Sequence, residues 1–167
     1  MKLVVDGIIY RIWPYGGIAR MFSEILPRLC EIDESLHITF LTSGRYGQAV
    51  PAHPHIHHIS TIEVDRFLRP TLLWRPIAPL IRGTIQQLYI GNDKGRIWHS
   101  TYYTIPHRWG RLSWNGPSVV TVVDMIHEKF PKYFYNAAEF SKQKRRCIEQ
   151  ADRVIAVSYT HLRAHET

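Results

Sequence analysis

The chain has 167 residues, 45% of them hydrophobic and 21% charged, which is typical of one globular domain with its own core. Its apolar runs are shorter than the roughly 18 residues that a membrane-spanning helix needs, so the composition argues against a membrane-spanning segment. The formal net charge of +7 is compatible with phosphates, an anionic membrane face or nucleic acid, and charge alone selects none of these partners.

The amino terminus and the two cysteines bear on location. The first residues reach Asp6 too early for a signal peptide and instead predict a first strand. Cys30 and Cys147 have neither metal-ligand nor disulfide spacing. We therefore expect a reducing, cytoplasmic location.

The first half of the chain predicts three strands and one long helix. Short β-branched runs predict the strands, at residues 2–6, 37–42 and 55–59. A loop over residues 7–17 ends in a glycine pair. From Ile18 onward apolar residues recur at i, i+3 and i+4, which predicts an amphipathic helix that Pro27 should bend or weaken.

The second half continues the alternation of strands with helices. Three further strands are predicted, at residues 96–100, 118–124 and 153–157, with helices at about 79–90 and at 137–151. The strands are apolar on both faces, as in a sheet that is covered on both sides. The expected fold is therefore α/β, a Rossmann-like parallel sheet with helices on both faces.

The last eleven residues, 157–167, do not resemble the rest of the chain. Their sequence, VSYTHLRAHET, reads back into DNA that resembles the transposon-end adapter used to prepare sequencing libraries. We therefore expect residues 1–156 to form the domain and 157–167 to be an adapter-derived tail that truncates the protein.

Polar and aromatic residues cluster where predicted strands end, which is where open parallel sheets bind ligands. Gly16 and Gly17 precede the first long helix, and backbone there can approach an anion, although a plain tight turn explains two glycines equally well. The string HSTYY (residues 99–103) follows the fourth strand, and DMIHE (124–128) follows the fifth. These groups can bind sugar hydroxyls and sugar faces, or they can serve packing and turn capping.

Four strings, in order, resemble the group 1 (family 4) glycosyltransferases: GGIAR, HSTYY, PSVVTVVDMIHEKFP and ADRVIAVS. The resemblance implies the amino-terminal, acceptor-side half of a GT-B fold, with the donor-binding domain absent. Such enzymes transfer a hexose, mannose among them, from a nucleotide-diphosphate sugar to a glycan or lipid-linked acceptor with retention. They use no metal and no cofactor beyond that co-substrate. Because the donor-binding domain is absent, this chain alone is expected to be inactive.

The resemblance also implies roles for individual residues. Gly16 and Gly17 correspond to the loop that approaches the donor diphosphate. Asp124 corresponds to the family's acidic position, and His99 to a rim residue after the fourth strand; both are catalytic candidates. The acceptor or sugar candidates are Tyr102, Tyr103, His127 and Glu128. Many relatives have His or Tyr immediately before the acid, where this chain has Val123.

Three further patterns carry weaker hypotheses. The histidines at 53, 55, 57 and 58 suggest a metal site, but a surface strand accounts for them better, and no metal is expected. The basic run Lys142, Lys144, Arg145 and Arg146 is typical of a solvated helix face, with peripheral contact to anionic lipid or an acceptor phosphate as the alternative. No nucleic-acid motif is present, so no nucleic-acid partner is expected.

The leading expectation from the sequence is therefore a fragment of a retaining glycosyltransferase. The alternative is a non-catalytic module that binds a glycan or a phospholipid. The identity of the sugar, the nucleotide and the acceptor stays open.

Overall fold

The computed structural model describes residues 1–43, 50–61, 95–104, 114 and 116–157, and every structural statement below concerns these residues. They contain six strands: β1 (Lys2–Asp6), β2 (His37–Ser43), β3 (Ile56–Thr61), β4 (Arg96–Ser100), β5 (Ser118–Val122) and β6 (Arg153–Ala156). The strands form one sheet in the order β3-β2-β1-β4-β5-β6, and every neighbouring pair is parallel. The fold is α/β and Rossmann-like, as predicted.

Two long helices and three short helical segments accompany the sheet. They are α1 (Ile9–Ile12), α2 (Gly17–Ile32), α3 (Ile126–Lys129), a 3₁₀ turn (Pro131–Tyr133) and α4 (Ala137–Gln150). Among the described residues no helix is both long and apolar enough to cross a membrane. The helix expected near residues 79–90 and the tail beyond Val157 lie outside the described part of the chain.

Helix α2 covers one face of the sheet. It buries Ala19, Phe22, Leu26 and Cys30, which share one stripe because of their i, i+3, i+4 spacing. This stripe packs against alternate residues of β1 and β2, among them Val5 and Phe40. The helix continues through Pro27 to Ile32, so the proline does not end the helix.

Helix α4 covers the opposite face. Strand register pairs Val5 with His99 and His99 with Val119, so these three residues point to the α2 face. Val120 lies next to Val119 and therefore points the other way, where it packs with Cys147 of α4. The two helices thus sandwich the sheet, as a doubly wound fold requires.

The predicted loop over residues 7–17 contains a helical turn that the sequence pattern did not reveal. Ile9 and Tyr10 of α1 are buried, and the Tyr10 hydroxyl donates to the Ala19 carbonyl over 2.9 Å. The same hydroxyl lies 2.7 Å from the Ser23 hydroxyl. Helix α1 therefore anchors the chain between β1 and α2 to the core.

Candidate functional site

The sheet order reverses direction between β1 and β4. From β1 the chain continues outward to β2, whereas β4 begins the other half of the sheet, so the connections leave in opposite directions. Asp6 and Ser100, the last residues of β1 and β4, are paired in register at this point. A crevice at such a reversal is the usual ligand site of an open α/β sheet.

Asp6 ends β1 at this reversal, and its carboxyl group is hydrogen-bonded on both oxygens. Its Oδ1 accepts the Ile8 N–H over 3.0 Å, and its Oδ2 accepts the Thr104 hydroxyl. The Thr101 hydroxyl donates to the Asp6 carbonyl. Burial raises the pKa of the Asp6 carboxyl, an effect that the Thr104 and Ile8 hydrogen bonds and the nearby Arg11 oppose. The sequence analysis missed Asp6, although an acid that ends the first strand was a usable signal.

A buried lysine joins the segments that follow β4 and β5. The Lys144 side chain is 2% exposed, and its Nζ donates to Glu128 Oε2 over 2.9 Å and to the Asp124 carbonyl over 2.8 Å. The same Nζ lies 3.7 Å from Asp124 Oδ1 and 5.2 Å from the centre of the Tyr103 ring. We call Tyr102, Tyr103, Asp124, Glu128 and Lys144 the rim cluster.

Lys144 corrects the expectation of a fully solvated basic face on α4. Lys142, Arg145 and Arg146 are exposed, whereas Lys144 points into the protein. A buried ammonium requires a compensating charge and hydrogen bonds, and the Asp124–Glu128 segment supplies both. Lys144 is thus a site residue that sequence reasoning placed in the solvent.

The two carboxylates of the rim cluster are presented differently. Asp124 Oδ1 accepts the Ile126 N–H over 3.2 Å, yet 47% of the Asp124 side chain is exposed. Glu128 is 25% exposed and lies beside the lysine. Two carboxylates around one ammonium leave a net negative rim, with Asp124 open to a ligand. Val123 precedes Asp124, so the cluster has no imidazole or phenol at that position.

Tyr103 is held in an uncommon backbone conformation at this rim. Its φ of 48° is left-handed, which costs a residue with a Cβ about 1–2 kcal/mol. Gln143 Nε2 and Cys147 Sγ both donate to its carbonyl, over 3.1 and 2.8 Å. Burial, followed by the Asp124 charge, raises the pKa of Tyr103 and also that of the half-buried Tyr102. Both phenols therefore stay neutral.

His127 contacts aromatic rings, whereas its neighbour Glu128 contacts the lysine. The His127 ring is 4.7 Å from that of Phe134 and 5.0 Å from that of Phe140, centre to centre. Its Nδ1 is enclosed without a hydrogen-bond partner among the described residues. The neighbours His127 and Glu128 thus face different surroundings, and only Glu128 joins the rim cluster.

His99 does not lie after the fourth strand, which corrects the expected rim position. It is the fourth residue of β4, where strand alternation points its side chain to the α2 face. There its Nε2 lies 2.8 Å from the Thr121 hydroxyl, and its ring packs edge-on against Phe22. Burial lowers the pKa of His99 to about 4, so the imidazole is neutral.

The sequence predicts Gly16 and Gly17 as the end of a loop before the helix; in the structure Gly16 caps α2 and Gly17 is its first residue. Gly16 has extended backbone at the helix cap, and a Cβ there would lie 3.2 Å from the Trp13 carbonyl oxygen. A Cβ on Gly17 would meet nothing within 4 Å. Close packing against Trp13 therefore explains a glycine at position 16, whereas position 17 has room for a larger side chain.

His37, His53 and His55 form a group near the start of β2 and β3. The ring centres of His37 and His55 are 4.9 Å apart, and those of His53 and His55 are 5.3 Å apart. Among the residues that the structure describes, no group of three His, Cys, Asp or Glu side chains is arranged to hold a metal ion.

Comparison with known proteins finds no protein-family model that matches this chain and no curated protein sequence that matches it significantly.

Proposed function

We propose that this chain is the acceptor-side domain of a retaining glycosyltransferase, which moves a hexose from a nucleotide-diphosphate sugar to a glycan or lipid acceptor. One observation carries the proposal. Tyr103, which follows β4, and residues Asp124 and Glu128, which follow β5, meet around Lys144 and present Asp124 at the carboxyl edge of the sheet.

The chemistry of the rim cluster suits a sugar. The half-exposed Asp124 carboxylate can accept hydrogen bonds from hydroxyl groups, and the half-buried, neutral Tyr102 offers ring surface near it, whereas Tyr103 is buried and supports the rim from below. A negative rim also stabilises positive charge that develops at an anomeric carbon. The start of α2 at Gly16 and Gly17 lies at the same edge and favours the departing diphosphate.

Within this proposal Asp124 is the catalytic candidate and Glu128 fixes the lysine. His99 supports the sheet from inside β4 through Thr121. Asp124 and Glu128 both contact the ammonium group of Lys144, so they do not face each other across a sugar as a nucleophile and an acid would. We therefore assign neither as a covalent nucleophile. The donor nucleotide requires a second domain, and no metal is invoked.

The proposal is tested by binding of simple sugars. Saturation-transfer NMR with methyl hexosides and short mannose, glucose and galactose oligosaccharides should detect a ligand. Asp124→Asn should weaken its binding about ten-fold, the loss of one charge-assisted hydrogen bond. Glu149→Gln, which removes an exposed acid on α4, is the matched control. Equal binding by the Asp124 variant, or sugar transfer by this chain alone, contradicts the proposal.

A non-catalytic glycan-binding module is the second candidate, because Lys144 engages both carboxylates and so gives them a structural role as well. The source DNA downstream of codon 156 separates the two. A second Rossmann-like domain with spaced glutamates supports the transferase, whereas an early stop codon supports the module.

A further inference from the structure

The segment from Ile126 to Tyr135 has one face turned into the protein and one turned to solvent. His127 and Glu128 face inward, where His127 contacts the rings of Phe134 and Phe140 and Glu128 pairs with Lys144. Four apolar or aromatic side chains face outward, with exposed fractions of 40%, 51%, 70% and 93%: Ile126, Phe130, Tyr133 and Tyr135. We call these four residues, together with Lys129 and Lys132, the aromatic patch.

The patch is built on fixed backbone. Helix α3 is closed by the Phe130 N–H, which donates to the Ile126 carbonyl over 2.9 Å, and the 3₁₀ turn follows directly. The Phe130 and Tyr133 ring centres are 6.5 Å apart. The hydrogen bond from Lys144 to Glu128 fixes residues 126–135 to α4 on the side that faces the protein. The apolar side chains are therefore presented together to solvent, which is unusual for a surface without a partner.

The charge around the patch is positive. Lys129 and Lys132 are exposed, and Lys132 Nζ lies 5.2 Å from the centre of the Tyr133 ring. Glu128 is the only acid between residues 126 and 135, and its charge is matched by the buried Lys144. On α4, Lys142 and Arg146 are also exposed, with Glu139 as an exposed acid. Arg145 is paired with Glu149 over 2.8 Å.

We propose that the aromatic patch docks this protein on the surface of an anionic lipid bilayer. Aromatic rings occupy the headgroup region of a bilayer, and lysines beside them bind its negative surface. The combination of exposed rings with the exposed Lys129 and Lys132 matches that surface. The inference is independent of the transferase proposal, because vesicle binding requires no sugar chemistry. It places the contact on α3 and the 3₁₀ turn rather than on the basic run of α4.

Flotation of the 167-residue chain with lipid vesicles tests the inference. The chain should float with vesicles of 70% phosphatidylcholine and 30% phosphatidylglycerol in 0.1 M salt and stay behind with phosphatidylcholine alone. Lys129→Gln with Lys132→Gln should lower partitioning roughly ten- to thirty-fold, as expected for two lysines near an anionic surface. Phe130→Ser with Tyr133→Ser should abolish flotation.

Ile32→Ser is the matched control, because Ile32 is 81% exposed but ends α2 at the opposite edge of the sheet. This variant should float like the parent, and circular dichroism should show that all variants remain folded. Three results overturn the inference: no flotation of the parent, equal flotation on neutral vesicles, or equal loss in the Ile32 variant. The parent chain could instead form an oligomer that dissociates only in the patch variants, without binding vesicles. That result identifies a second copy of the chain as the partner of the patch and also overturns the inference.

Discussion

His99 places an imidazole in surroundings that disfavour its charged form. Its ring packs on Phe22 beneath α2, and its Nε2 is engaged with Thr121. Burial lowers the pKa of His99 to about 4, below the ordinary value of 6.5. A histidine with a depressed pKa contributes its full stability above pH 6.5, and this contribution is lost as the pH falls toward 4, because only the unfolded chain binds the proton readily.

We predict that acid weakens the folded state through this residue. Between pH 6.5 and 4 the free energy of unfolding should fall by about 1.4 kcal/mol per pH unit, approaching about 3 kcal/mol in total. Urea unfolding at several pH values measures this slope. His99→Gln keeps a hydrogen-bonding side chain without the titration, so its slope should be smaller by that amount. Identical slopes in the two proteins refute the assignment.

At the scale of single elements, Lys144 links α4 to the segment after β5. Its removal leaves Glu128 partly buried without a counter-charge, which is costly because the carboxylate is desolvated. The cost is limited because Asp124 is half exposed and Glu128 is a quarter exposed.

We predict that Lys144→Met destabilises the fold by about 1–3 kcal/mol. Arg145→Met, which removes a surface pair with Glu149 from the next position, should change stability by less than about 1 kcal/mol. Urea unfolding of the two variants gives the comparison. Equal effects of the two substitutions would show that Lys144 stabilises the protein no more than a surface lysine does.

Two glycines near the amino terminus have opposite surroundings. A Cβ on Gly7 would lie 2.5 Å from the Leu41 carbonyl oxygen and 2.8 Å from the Phe40 ring, whereas a Cβ on Gly17 would meet nothing within 4 Å. Backbone cannot retreat from such a contact as a flexible side chain can.

We therefore predict that Gly7→Ala costs about 1–3 kcal/mol, because overpacking shifts β1 from β2. Gly17→Ala should be neutral or stabilise the protein by up to about 1 kcal/mol, since alanine favours a helix. Melting temperatures separate the two, at about 2–4 °C per kcal/mol for a chain of this size. A stable Gly7 variant contradicts the close packing of β1 on β2.

The elements that the sequence predicts well are strands with an apolar centre and long amphipathic helices. Strands β1 and β4 begin and end at the predicted residues, and α4 differs from its prediction by one residue. Helices α1 and α3 were missed because each has four residues, too few for a period to appear. Their presence depends on contacts distant in sequence, such as Tyr10 with Ser23.

The sequence predicted where in the fold the candidate site lies, but it did not predict which residues contact one another there. Strand ends located Tyr103, Asp124 and Glu128, since parallel strands bring their carboxyl ends to one edge. The burial of Lys144 was not predicted, because its charge suggested exposure to solvent. Its hydrogen-bond partners Glu128 and Asp124 lie 16 and 20 residues earlier in the sequence. The periodicity of a helix indicates which of its faces is buried, but it does not indicate which charged groups of other segments lie against that face.

At the scale of the whole molecule, β6 is an exposed edge. Within the described residues it pairs only with β5, and Val154 and Ile155 remain 44% and 49% exposed. An apolar edge strand with free backbone groups can pair with another chain.

We predict that the protein associates with itself through this edge. Light scattering coupled to size exclusion should give a mass that rises with concentration above the monomer value of 19.6 kDa. Ile155→Lys, which puts a charge on the edge, should hold the mass at that of the monomer, while Phe130→Ser should not. A concentration-independent mass for the parent rules out the edge as an interface.

The reversal of the sheet between β1 and β4 also determines when the crevice appears during folding. Its contacts join residues about a hundred positions apart: Asp6 with Thr104 is separated by 98 residues, and Ile9 with Thr101 by 92. Contacts of such long sequence separation form slowly, because a large loop must close first. Helical signal should therefore return early after dilution from denaturant, and ligand binding should return only when the two halves of the chain have docked.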